Sequence, residues 1–295
     1  MTKVLKASIS GSSEDKRRHA MSRLISANLT RAFKGKLIWL VAIAALIFSG
    51  MNVGEMLKHC SPTAPERCIE IVFNGIPILA ILIPAFTGLF LGSDYQCGTL
   101  RTKILSGASR ESVYISSYIT AFVCSIIILC ASLLPTAVTF MLFVENPFAF
   151  VEKLLLSILA SVMITASLCA IFTLMGMLIS SKSVGAVAAI LFAFALIVAG
   201  SFFYNRLDEP EMISDMSYSL DGVIMSSEPY PNPLYIGGWL RPVFEALLRI
   251  LPTGQGILLA NNEMTDYLLC AIVSLFVTVI TNLFGMMFFS RKDLR

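Results

Sequence analysis

LLLSILASVMITASLCAIFTLMGMLISS, residues Leu154–Ser181, runs for 28 residues without an Asp, Glu, Lys or Arg. An apolar stretch of roughly 18 residues or more is long enough to cross a bilayer as a helix. Five further uncharged stretches pass the same test: Leu37–Gly54, Ile71–Ser93, Ser112–Val144, Ser183–Asn205 and Tyr267–Ser290, of 18, 23, 33, 23 and 24 residues. Together the six make up about half the chain. The whole is 56% hydrophobic and only 14% charged, against roughly 45–50% and about 25% in soluble domains. A soluble enzyme and a cytosolic nucleic-acid binder are excluded. The expected fold is all-α: a polytopic membrane protein of six transmembrane helices.

Six spans put both ends of the chain on one side, and the basic residues choose it. Of the 22 Lys and Arg residues, 16 lie before the first span, in the two even-numbered loops and after the last span. Basic residues collect on the cytoplasmic side, so both termini are expected there. The first apolar run begins only at Leu37 and no small-residue cleavage site follows it, which argues against a removable signal peptide. The organisation read from this is a basic cytoplasmic segment at 1–36, one transmembrane domain at 37–290 and a short cytoplasmic tail at 291–295. Within the domain lie a cytoplasmic loop at 94–111 and a long outer loop at 206–266.

The 33-residue run Ser112–Val144 would extend about 50 Å as a helix, against a hydrocarbon core of roughly 30 Å. Part of it must project, tilt or bend, and Pro135 offers a kink; Pro77 and Pro84 could do the same in the second span. These prolines are either tolerated kinks or parts of a moving gate. No charged residue and neither histidine, His19 nor His59, falls inside a run, which weakens a proton-coupled transporter. No Walker A loop is present: Gly35-Lys36 is followed by Leu37 and lacks the earlier glycine. No hydrolytic or metal-binding constellation is visible, so the chain is not expected to be an enzyme.

Met21, Leu24, Ile25, Leu29, Ala32 and Phe33 recur at helical spacing, with Arg23, Arg31 and Lys34 off that stripe. A basic amphipathic helix just before a span is expected in the inner interface, beside anionic lipid. It serves either as an anchor or as a relay to a cytoplasmic partner. In the loop after the second span, Asp94-Tyr95-Gln96-Cys97-Gly98-Thr99-Leu100-Arg101-Thr102-Lys103-Ile104-Leu105-Ser106-Gly107-Ala108-Ser109-Arg110, Gly98 permits a tight turn and Thr99 can cap a short helix. Leu100, Ile104 and Leu105 make an apolar stripe, flanked by the cations Arg101, Lys103 and Arg110. That combination suits insertion into a groove on a soluble partner.

This stretch resembles the first cytoplasmic loop of ABC-2 type transporter permeases, where an acidic-Tyr-x-x-Gly-Thr-aliphatic-basic pattern follows the second span. Asp94 stands where the pattern usually has Glu; Tyr95, Gly98, Thr99, Leu100 and Arg101 match it, as do Gly107 and Arg110. The closing Phe288–Arg295 and the basic helix leading into a first span with Trp39 are also similar to that family. The resemblance implies a permease subunit of a bacterial ABC exporter in the prokaryotic plasma membrane. Its partners would be a second or homologous permease copy, membrane lipids and separate ATPase subunits. Those subunits would hold ATP and Mg; this chain would hold no cofactor. Gly98–Arg110 would be the ATPase contact, with Asp94 and Tyr95 at its membrane edge. The cargo would be an amphipathic peptide, an antibiotic or a lipid-like molecule. Two competitors stand beside this: a peptide-sensing or immunity module with little net transport, and a sodium-coupled carrier or channel.

In the outer loop, residues 206–228 carry Asp208, Glu209, Glu211, Asp215, Asp221 and Glu228 against one Arg. This is either a solvated loop or a vestibule that attracts cations. Trp239–Leu251 reads as an amphipathic helix, with Leu240, Val243, Phe244, Leu247, Leu248 and Leu251 on one face. Arg241, Glu245 and Arg249 form a ladder on the other. It is too short to span, so it lies at the outer interface or dips in and returns, as the short helices before the last span do in the permeases it resembles. Cys60 and Cys68 share the first outer loop and could form a disulfide there. Cys124, Cys130, Cys169 and Cys270 sit in the spans as packing residues.

Overall fold

The computed structural model describes residues 21–59, 73–143, 151–214, 216–218, 224–226 and 229–292. Cys60 and Cys68 lie outside the described residues, as do Asp215, Asp221, Glu228 and the tail beyond Lys292. A first helix, α1, covers 21–34, and Gly35 separates it from α2, Lys36–His59. Then follow α3 (Ile76–Gln96), α4 (Thr99–Leu105), α5 (Arg110–Phe143), α6 (Val151–Leu178) and α7 (Lys182–Asp208). After two short antiparallel strand pairs, β1 (Met212–Ile213) with β4 (Tyr230–Pro231) and β2 (Met216–Tyr218) with β3 (Ile224–Ser226), come α8 (Leu240–Ile250), α9 (Pro252–Ala260) and α10 (Tyr267–Arg291). Six of these, α2, α3, α5, α6, α7 and α10, are long and apolar enough to cross a membrane. The chain is a membrane protein built as a helical bundle.

α3 and α6 form the centre. α6 packs most closely on α10, α3 on α7, and α2 on α5. Between helices in lipid the contact is made by packing, and small residues let backbones approach. Gly88 and Gly92, four apart on α3, face α7: a Cβ at Gly88 would stand 3.2 Å from Ala186 Cα, and one at Gly92 would stand 2.9 Å from Lys182 Cα. Gly285 of α10 similarly accepts the Tyr114 ring of α5, whose side chain is fully buried. Outward faces are apolar, as with Leu191 and Phe194 of α7 and Ile272 and Phe276 of α10. Several interior hydroxyls of α5 and α6 return to their own helix: Ser117 and Thr120 donate to the carbonyls of Val113 and Ser116, and Ser161 to that of Ser157. This partners them without charge in an apolar setting.

One expectation is corrected. Pro77 does not kink a span; it sits in the first turn of α3, where its missing N–H is unneeded. Pro135 and Pro84 lie inside continuous helices. The long loop between the fifth and sixth membrane helices holds both strands and helices. α7 carries on through Arg206 to Asp208, and the strand pairs follow, with Asn232 buried and donating to Glu209 Oε2 at 2.8 Å.

Candidate functional site

At one end of the bundle, α3 passes into α4 through Cys97 and Gly98. Gly98 holds a left-handed φ of 65°, and Gly107, at φ 92°, closes the far end of the short helix. L-residues other than glycine avoid such angles, so both glycines are needed to set α4 across the bundle end. The N-cap is Gly98, which has no side chain to cap with. Thr99 is the first helical residue rather than the cap, and its hydroxyl donates instead to the Asp94 carboxylate.

Asp94 is the focus. It is 1% exposed, and the Arg31 guanidinium grips both its oxygens, Nη2 to Oδ2 at 2.8 Å. Lys103 Nζ stands 3.5 Å from each oxygen. The Arg31 guanidinium also lies 4.4 Å from the centroid of the Phe90 ring, a favourable place for a cation. Burial lowers the Lys103 pKa; the Asp94 charge opposes this and Arg31 adds to it. A two-point guanidinium–carboxylate pair fixes orientation as well as distance. It joins α1 to the end of α3, while Thr99 and Lys103 join α4 to the same carboxylate. The three elements form one charged junction.

That junction reorders several sequence-predicted residues. The inner side of α1 carries Asn28, Arg31 and Ala32, not the whole apolar stripe; Phe33 is exposed, and its carbonyl accepts the Trp39 indole N–H at 3.0 Å. Arg23 and Lys34 point outward. Leu100 is buried, 2% exposed, and Ile104 is half-buried, so two of the three residues in the apolar stripe of α4 face the bundle. What α4 leaves exposed is Arg101, Thr102 and Leu105, the last 78% exposed, with Cys97 and Ser106 beside them. Arg110 is already engaged, donating to the carbonyls of Ser290 and Lys292. Tyr95 turns the other way from Asp94 and donates to the Met177 carbonyl at the end of α6.

At the opposite end, α8 and α9 meet at 93°. The residues opening α9, Pro252 to Gly256, are buried in the bundle. Thr253 donates to the Leu196 carbonyl at 2.7 Å, and Ser274 bonds Gln255. Phe244 fits between Phe202 and Phe203, and Leu248 is buried. The charged side of α8 does not face open solvent alone. Arg241, Glu245 and Arg249 line a cleft of about 250 Å³ with Asp208, Glu263 and Asp266, floored by Leu207, Leu258 and Met264. Arg241 stands 3.6 Å from Glu245 and donates to the Leu207 carbonyl, and Tyr204 donates to Glu263 at 2.8 Å. A smaller apolar chamber of about 80 Å³ opens beside Pro77, Ile164, Ile197 and Thr253. Among the described residues no group of His, Cys, Asp and Glu is arranged to hold a metal.

No protein-family model matches this chain, and no curated protein aligns with it significantly.

Sequence reading found the loop but not its joints. Arg31 and Asp94 are 63 residues apart, and no local period links them. The Gly88–Gly92 spacing opposite Gly185, Ala189 and Ala193 was a legible signal for the α3–α7 contact.

Proposed function

We propose that the chain is the permease subunit of an ATP-driven transporter of the ABC-2 type, with both termini cytoplasmic and the α4 end facing the cytoplasm. The observation that carries this is the segment Asp94–Arg110. Its pattern resembles the first cytoplasmic loop of those permeases, and its α4 is linked to the basic helix α1 through the shared Asp94 carboxylate. A short helix that presents Arg101, Thr102 and Leu105 while tied to the ends of two other helices suits the receipt of force from a soluble ATPase. Closure of two ATPase subunits would tilt α4 and α1 together, and the bundle ends would follow. The bent pair α8–α9 would close the far, outer end of a path formed between two permease copies, α8 lying at the outer interface. Cargo of amphipathic character fits a path walled by apolar helices with a charged cleft at its outer mouth. A chain with no nucleotide loop of its own relies on that partner for ATP and Mg.

The outer cleft favours a second reading, a peptide-sensing or immunity module that uses the same ATPase and moves little cargo. A sodium-coupled carrier or channel has no comparable observation in its favour. The test is affinity purification from native membranes in mild detergent, with mass spectrometry of what accompanies the chain. A stoichiometric partner with a Walker A loop supports the transporter reading. Recovery of the chain alone, even after crosslinking through a Thr102→Cys variant, removes it.

A further inference from the structure

Lys292 follows the last turn of α10, and its side chain reaches back across the bundle end. A lysine at the end of a membrane helix ordinarily extends its ammonium to water and headgroups. This one turns inward. Its Nζ donates to the Tyr95 hydroxyl at 2.7 Å and to the Met177 carbonyl at 3.0 Å, and lies 4.3 Å from the Tyr95 ring centroid. Met177 is in the last turn of α6, where backbone carbonyls have no partner within the helix; this one receives both the ammonium and the Tyr95 hydroxyl. The carbonyl of Lys292 meanwhile accepts from Arg110, the first residue of α5. The ends of α3, α5, α6 and α10 therefore meet around one residue. Tyr95 adjoins Asp94, so this clasp and the Asp94 junction share the last turn of α3. α6 and α10 are also the most extensively packed pair in the bundle.

We propose that Lys292 is a positioning residue that, through Tyr95 and the Met177 carbonyl, makes the α6–α10 pair move with the end of α3 and with α4. This extends the reading of α4 as the force-receiving element and rests on it for its purpose, though not for its geometry. The α6–α10 pair makes few direct contacts with α4, while α6 packs along α3; the clasp adds a polar link at the very end of α3, the turn that leads into α4. Burial pushes the Lys292 amine down to about 8, in keeping with an ammonium drawn off the solvent side.

Hydrogen–deuterium exchange of the full chain in lipid nanodiscs tests this on the wild type and on Lys292→Met, Lys292→Arg and Tyr95→Phe. In Lys292→Met, exchange is expected to rise about tenfold, the scale of a lost hydrogen bond, at residues 94–99 and 176–181 as well as beside position 292. Lys292→Arg is expected to restore most of the protection. Tyr95→Phe is expected to give a partial rise at 176–181 that does not add to that of Lys292→Met. A rise confined to 288–292, or an equal rise at the α8–α9 end, would overturn the proposal. Should Lys292→Met fail to fold, Tyr95→Phe carries the test: no rise at either 176–181 or 289–292 would refute it. No ATPase is needed for this readout. A chain that captures no ATPase yet shows the linked exchange would refute the transporter reading and keep the clasp; capture without linked exchange would do the reverse.

Discussion

The two ends of the bundle handle charge in opposite ways. At the α4 end, Arg31, Asp94, Thr99 and Lys103 close on one another around a carboxylate that is 1% exposed. Their polar ends face one another, with one positive charge in excess. At the α8–α9 end, Arg241, Glu245, Arg249, Asp208, Glu263 and Asp266 are spread around a cleft of about 250 Å³. Charges locked together make a joint that transmits displacement, because breaking one contact leaves a buried ion unpartnered. Charges held apart around a space make a surface that can meet a solute. The same six long helices thus end in a closed charge cluster on one side and an open charged cleft on the other.

The largest effect that would break this contrast is at Asp94. Asp94→Ala removes the carboxylate that Arg31 and Lys103 share and leaves both cations partly buried. Loss of one partner from a buried pair costs about 3–5 kcal/mol. A large fall in thermal unfolding temperature in detergent is expected, while Glu263→Gln at the open end is expected to change stability by about 1 kcal/mol. Equal losses at the two sites would erase the distinction. Next in size is the contact of α3 with the start of α7, beside the Asp94 junction. Gly92→Leu would push side-chain atoms against Lys182 of α7, and overpacking of this kind costs about 1–3 kcal/mol. Reversible unfolding in mixed micelles, compared with Gly50→Leu, where a Cβ meets nothing, would measure it.

Gly98→Ala sharpens the comparison further. Nothing obstructs a Cβ there, yet the φ of 65° penalises an L-residue by about 1–2 kcal/mol. Increased exchange of the α4 amides is expected, with the α8–α9 end unaffected. The smallest effect is one of pH. Lys292 titrates near 8 in the folded protein against 10.5 when free. Between about pH 8 and 10.5 the unfolded chain therefore binds more protons, and stability rises with pH across that window. The rise is modest because the amine keeps some access to water. A series of unfolding temperatures from pH 7 to 10 would register it, and Lys292→Met is expected to flatten the slope.

Much of the bundle could be read from charge spacing alone, because an ion inside the hydrocarbon is costly and its absence over 18 or more residues is itself a signal. Gly98 was legible too, since a tight turn needs φ values that glycine tolerates. The joints were not. Arg31 meets Asp94 across 63 residues and Lys292 meets Tyr95 across 197, separations at which sequence period says nothing. Leu100 shows a second limit: a helix of seven residues is too short for periodicity to tell an inward face from an outward one. The 93° break between α8 and α9 was half legible, in Pro252 and in the two-sided pattern before it. The burial of the residues opening α9 depends on α7 and α10, which no local pattern names.

The central claim is that α4 is the docking element for an ATPase. The most direct measurement places a photocrosslinking residue at Thr102, exposed on α4, and in a second variant at Asp266 beside the far cleft, both in native membranes. The expected result is capture of a nucleotide-binding ATPase from position 102 and none from position 266. Capture of no ATPase from position 102, or capture from position 266 instead, would contradict the claim.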